Sequence, residues 1–132
     1  MRRVLAVVGL ALAGLLAAAC SPDTQVCPAI GWNNHIEVDA TAFGQDAFVQ
    51  LCTEAGCSPQ PGAHRTLPTD LSVPSPDAGA FSVGMTAPES VTIRVYDATG
   101  ALLHESERSV DWTHSPGPCG GPSTATPIVL AP

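Results

Sequence analysis

The side chains able to do chemistry in this chain are few. Cysteines stand at positions 20, 27, 52, 57 and 119, and histidines at 35, 64, 104 and 114. A zinc site draws such ligands at short fixed spacings, C-x-x-C or histidines at i and i+4. Neither spacing occurs, and only His114 lies close to a cysteine, in HSPGPC. No serine sits in a G-x-S-x-G elbow, and the acids are scattered along strand-like and turn-like stretches. A nucleophile with its base, a carboxylate pair or a metal set is what an enzyme would need. No catalytic residue, metal ligand or cofactor is therefore assigned, and the chain is read as a non-enzyme.

What the thiols do depends on the front of the chain. Arg2 and Arg3 are followed by VLAVVGLALAGLLAAA, sixteen residues without a polar side chain. That is the layout of a signal peptide. A spanning helix needs roughly 18 to 20 apolar residues to cross about 30 Å of hydrocarbon, and this run stops short and ends in alanines instead of a flanking charge. Small residues at 17–19 suit a signal peptidase pocket, and Cys20 follows them. LLAAAC resembles the lipobox of bacterial lipoproteins, with Ala17 where leucine is usual and Leu16 one place back. The resemblance implies cleavage before Cys20, a thioether-linked diacylglycerol on its sulfur, and a palmitate-type anchor holding the protein at the extracytoplasmic side of the cell membrane. Each buried acyl methylene is worth about 0.8 kcal/mol, so two or three chains anchor durably. The alternative is an ordinary secretory signal cut after Ala19, with Cys20 incidental.

Removal of residues 1–19 leaves about 113, one domain with one modest core. The full chain carries −7; without Arg2 and Arg3, three basic residues face twelve acidic ones, near −9. Nucleic acid and anionic surfaces are poor partners for such a chain. The sequence has no lysine, and with its many alanines, prolines and glycines this looks like codon bias in a high-GC bacterium. Thirteen prolines and twelve glycines argue against long helices and for an all-β fold with many turns.

With Cys20 assigned to lipid, Cys27, Cys52, Cys57 and Cys119 remain, an even number in an exported chain and so two disulfides. CTEAGC encloses a short polar loop, which pairs Cys52 with Cys57 at a hairpin tip. Cys27 and Cys119 then join the start of the domain to its end. In the chain-entropy picture the long link is worth roughly 4 to 5 kcal/mol and the short one roughly 2.

Alternation supplies the elements that hold these residues. Ile36, Val38 and Ala40 alternate with Glu37, Asp39 and Thr41; Ala47, Val49 and Leu51 share a face, with Phe48 and Gln50 on the other. From 58 to 79 five prolines forbid a central strand, leaving RTL or LSV for an edge. Phe81, Val83 and Met85 share a face. SVTIRVY, a DATG type I turn and ALLHES make a hairpin, and pairing Tyr96 with Ala101 sets Arg94 diagonal to Glu105. The return strand runs on through ERSVDW, with Val110 and Trp112 inward. Pro127 makes the last strand an edge, or starts it after the proline. The count is six to seven strands.

SVTIRVYDATGALLHES resembles the strand pairs of immunoglobulin-like and carboxypeptidase-regulatory-like β-sandwiches. CPAIGW, LC with a nearby second cysteine, and W-T before CGGP are similar to a group of small uncharacterised lipoproteins of high-GC, actinobacterial-type bacteria. The expected fold is a single antiparallel immunoglobulin-like β-sandwich after an N-terminal signal-peptide helix: signal peptide 1–19, lipidated tether 20–26, sandwich 27–132. Trp32 and Trp112 are expected to cover the Cys27–Cys119 link, or to form with His114 a platform for sugar or lipid. The expected function is that of a lipid-anchored binding or scaffolding module, contacting an envelope protein or wall polymer through the 58–79 loop and the 112–122 segment. The alternative is a small-ligand or metal carrier, in which His104 or His114 must meet a further histidine or an acid.

Overall fold

The computed structural model describes residues 26–63, 69–77 and 79–132, and these are all-β. Residues 1–25, on which the expected signal-peptide helix, Cys20 and most of the expected tether fall, lie outside the described residues, as do His64 and the RTL stretch.

The strands are β1 (His35–Asp39), β2 (Phe48–Thr53), β3 (Gly56–Cys57), β4 (Ser75–Asp77), β5 (Ala80–Ser82), β6 (Ser90–Tyr96), β7 (Leu102–Ser109), β8 (Trp112–His114), β9 (Ser123–Ala125) and β10 (Ile128–Val129), with one 3-10 turn at Thr41–Phe43. They form two sheets of a sandwich. One runs β3-β2-β6-β7 and is antiparallel throughout; the other runs β4-β5-β1-β9-β8, with β10 also on β1. The inner faces meet in a core of Ile36, Leu51, Phe81, Val83, Ile93 and Val95, joined by Val91, Val110, Ile128 and Leu130. β6 shows the period-2 logic plainly: Val91, Ile93 and Val95 are buried, and Thr92, Arg94 and Tyr96 face outward.

Two features depart from the expected antiparallel six or seven strands. The strands are shorter and number ten among the described residues, and β9 and β10 both run parallel to β1, with Thr124 opposite His35 and Ile128 opposite Val38. They are one course interrupted at Pro127, which has no N–H for the ladder. The last strand accordingly restarts after the proline.

Smaller differences have equally local causes. The strand through Phe81 ends at Ser82, and Gly84, at φ +59, turns the chain so that Met85 leaves the inner face. LSV lies in a turn, and the edge strand is Ser75–Asp77, whose Pro76 suits a sheet border. ERSVDW breaks after Ser109, where the chain crosses between sheets; Val110 donates its N–H to Glu89 O at 2.9 Å, and both Val110 and Trp112 still pack on the core. A bulge at Val95/Tyr96 pairs Tyr96 with Leu102, which brings Arg94 directly opposite Glu105. The two form a hydrogen-bonded ion pair, and this raises the arginine's pKa above its ordinary value through that bond and the charge of Glu105.

β7 borders its sheet. On the face it shares with Val91, Ile93 and Val95 it carries half-buried Arg108, Ser106 and His104. Such polar and charged side chains protect an edge against pairing with another chain.

The chain enters the sandwich beside His35, so this is the end to which the expected 20–26 tether would lead, the tether end. The 83–89 loop leads from Ser82, opposite His35, to the start of β6; the β2–β3 tip lies beside that start, and the 115–122 loop joins His114 to Ser123 near the same place. The DATG turn, the start of β7 and residues 130–132 lie at the far end.

Candidate interaction surface

The tether end collects most of what the sequence singled out. Cys27 and Cys119 form a disulfide across a separation of 92 residues, clamping the incoming segment to the 115–122 loop. Trp32 lies against the next residue of that loop: a Cβ on Gly120 would stand 3.2 Å from the indole Cη2. The close approach explains the glycine after Cys119, and it sets Trp32 against the residue that follows the disulfide in the chain. Its Nε1 is buried without a hydrogen-bond partner among the described residues. Trp112 is used differently. It packs on the core from β8 and donates Nε1–H to Pro88 O at 2.9 Å, bracing the loop between the sheets.

Asn34 organises this end. Its amide donates to Thr86 O at 2.8 Å, its Oδ1 accepts the Ser123 N–H at 2.8 Å, and its backbone bonds Gly84 O and Val83 N. A buried asparagine able to give and take two bonds at once can tie separate loops together. Its only sequence signal is the pair of asparagines just before the first alternating strand.

Beside these loops opens a depression of about 630 Å³, lined by Thr53, Glu54, Ser72, Thr86, Pro88 and Glu89. Hydroxyls and carboxylates alternate there with the apolar surfaces of Ala55, Ala87 and Pro88, so the recess is of mixed polarity. The second disulfide, Cys52–Cys57, closes the hairpin that forms one wall of it, with Cys52 directly opposite Cys57.

The Pro-rich segment runs along the flank. Ser58 extends the β2 edge with its N–H on Leu51 O at 2.8 Å and its Oγ accepting the Leu51 N–H at 3.0 Å. Gln50, on the outer face of β2, is buried because this segment covers it; it donates to Ser58 O at 2.8 Å and accepts from Tyr96 Oη at 3.1 Å.

The three histidines among the described residues are dispersed. His114 bonds Ser123 Oγ at 2.8 Å on the six-stranded sheet, and His104 bonds Ser106 Oγ at 3.0 Å on the other. His35 meets an acid, Asp77, at 3.3 Å. Among the described residues no group of three or more His, Cys, Asp or Glu side chains stands close enough to hold a metal ion.

Three aspartates share one local device. Asp39, Asp70 and Asp97 each accept, through Oδ1, the N–H and the hydroxyl of the Thr or Ser two residues on. The hydroxyl bond from Thr41, Ser72 or Thr99, with the backbone bonds behind it, holds each carboxyl below the ordinary value of 3.8. The DATG turn shows this device in the sequence; the same D-x-S/T pattern at 39 and 70 marks the other two.

Comparison with protein-family models, with curated proteins and with solved structures finds no match for this chain.

Proposed function

We propose that this protein is a lipid-anchored, extracytoplasmic, non-catalytic module that binds or scaffolds an envelope protein or a wall polymer. The observation that carries the reading is the disulfide set. All four cysteines of the sandwich are paired, as in proteins of oxidising compartments, and Cys20 alone is left over, in the one context that resembles a lipidation site. The contact surfaces are the exposed Pro-rich flank and the 112–122 segment. An acidic chain near −9 makes nucleic acid a poor partner.

The test begins with the full-length gene in its source organism, with and without Cys20→Ala. The wild type is expected in the membrane fraction, with a diacylglyceryl mass on Cys20, and the variant in the soluble one; a variant that stays equally membrane-bound overturns the anchor. Photo-crosslinkers at Gln60 and Gly117 are then expected to capture a macromolecule in intact cells. A native mass spectrum showing a small molecule or metal that is lost on denaturation would replace scaffolding with carriage.

A further inference from the structure

Four large apolar side chains stand in solvent at the tether end. Val26 is 88% exposed, Ile30 70%, Leu71 79% and Met85 60%. They come from three separate stretches of chain that the fold brings to one end. The last two stretches touch: a Cβ on Gly84, next to Met85, would lie 3.6 Å from Leu71 Cβ. Asn34 binds the incoming segment to the same loop through Gly84 O and Thr86 O.

We propose that this end of the sandwich seats on the lipid bilayer, with Val26, Ile30, Leu71 and Met85 dipping into its interface. The proposal rests on the lipid-anchor reading of Cys20, since the tether selects the occupant. Residues 21–26 reach at most roughly 20 Å at about 3.5 Å each, so an anchored domain cannot carry this end far from the membrane. Tethering makes the contact intramolecular, and a patch too small to bind lipid from solution then suffices. Apolar tips on loops, with an unbranched methionine among them, suit a fluid and irregular surface. The carboxylates of Glu54, Asp70 and Glu89 at the same end restrict the contact to the interface, because burying a charge in hydrocarbon is costly. The contact is apolar and so persists in high salt. The remaining exposed large apolar residues, Leu102, Leu103 and Val129, belong to the far end and serve as the internal contrast.

The test uses residues 20–132, which hold every described strand and both disulfides, so that Cys20 is the one free thiol. Coupling that thiol to a maleimide-headgroup lipid in phosphatidylcholine nanodiscs supplies the anchor whether or not the cell does. Met85 is the only methionine after residue 19, so its isotope-labelled methyl is a single reporter. With a headgroup spin label in the lipid, the Met85 signal is expected to be lost, at low and high salt alike, while the Ala98 and Ala101 methyls of the far turn keep their intensity. Ile30→Asp with Leu71→Asp is expected to restore the Met85 signal with the amide spectrum otherwise unchanged. Equal intensities for Met85 and Ala98 in the tethered wild type would overturn the seating. So would a Met85 shift that depends on protein concentration without lipid, which would make a second copy the occupant. Retained Met85 signal with lipid on native Cys20 sinks the seating alone; lost signal with no lipid on native Cys20 sinks the anchor alone.

Discussion

The backbone N–H of Ser123 donates to Asn34 Oδ1 at 2.8 Å, across 89 residues of sequence, inside a side chain that is 1% exposed. This bond ties the start of β9 to the start of β1, and the same amide holds the 83–89 loop through Thr86 O. Replacing Asn34 by alanine leaves the part-buried Ser123 N–H and Thr86 O without their partner, each costing about 1 to 2 kcal/mol. Asn34→Ala is therefore expected to lower unfolding stability by about 2 to 4 kcal/mol, read from urea denaturation with both disulfides intact. An unchanged midpoint would mean that water replaces both bonds.

The two disulfides are expected to contribute unequally. Cys27–Cys119 closes a separation of 92 residues and Cys52–Cys57 one of 5. Constraining the unfolded chain is worth about 4 to 5 kcal/mol for the first and about 2 for the second. Paired serine substitutions measured by denaturant unfolding should show the larger loss at 27/119. The reverse order would mean that the unfolded chain keeps its ends together without the link.

Acid should destabilise the protein through its three capped aspartates. Asp39, Asp70 and Asp97 are held below 3.8 in the fold, by the hydroxyl bonds from Thr41, Ser72 and Thr99 first. A carboxyl depressed in the folded state contributes stability that is complete above its unfolded value and is lost as pH falls through that value toward the folded one. Stability is thus expected to be flat with respect to these groups near neutrality and to decline below about pH 4. Asp97→Asn keeps an Oδ1 acceptor for the turn but does not titrate. It should shallow the acid slope measured by denaturation at stepped pH, and an unaltered slope would remove Asp97 from the account.

Much of this architecture is legible in the residues, because burial follows alternation wherever one face of a strand meets the core. Ile36 and Val38, Val91 through Val95, and the DATG hairpin all fall where the period-2 pattern directs them. What alternation does not carry is how the chain passes between sheets. Ser109 to Trp112 reads as one strand, yet Val110 is a crossing point that stays buried by facing the shared core from either sheet. Nor does pattern distinguish Gln50 on a covered face from a glutamine in water, since the cover is an irregular Pro-rich segment. D-x-S/T marks the cap at three aspartates but fails at Asp111, whose Thr113 is committed to pairing with Thr124. Of the interaction surface, the cysteines and Trp32 were legible; Asn34, Leu71 and Met85 were not, because only the fold brings them to one end.

The covered face of β2 yields the last prediction. Gln50 is 3% exposed, accepts from Tyr96 Oη at 3.1 Å and donates to Ser58 O at 2.8 Å, so it links the sheet to the first turn of the Pro-rich flank. Tyr96→Phe removes one neutral hydrogen bond and leaves Gln50 its donor role, which should cost about 1 kcal/mol. Gln50→Leu keeps the volume but strands Ser58 O, and should cost about 1 to 3 kcal/mol. If the three groups act as one chain, the double variant will cost less than the two single losses added together, since Tyr96 has nothing left to bond once Gln50 is gone. The same Gln50→Leu variant should speed amide exchange at Gln60 and Ala63, where the flank depends on Ser58 for its hold on the sheet. Additive losses with unchanged exchange would show instead that the flank does not depend on the Gln50–Ser58 bond for its hold on the sheet.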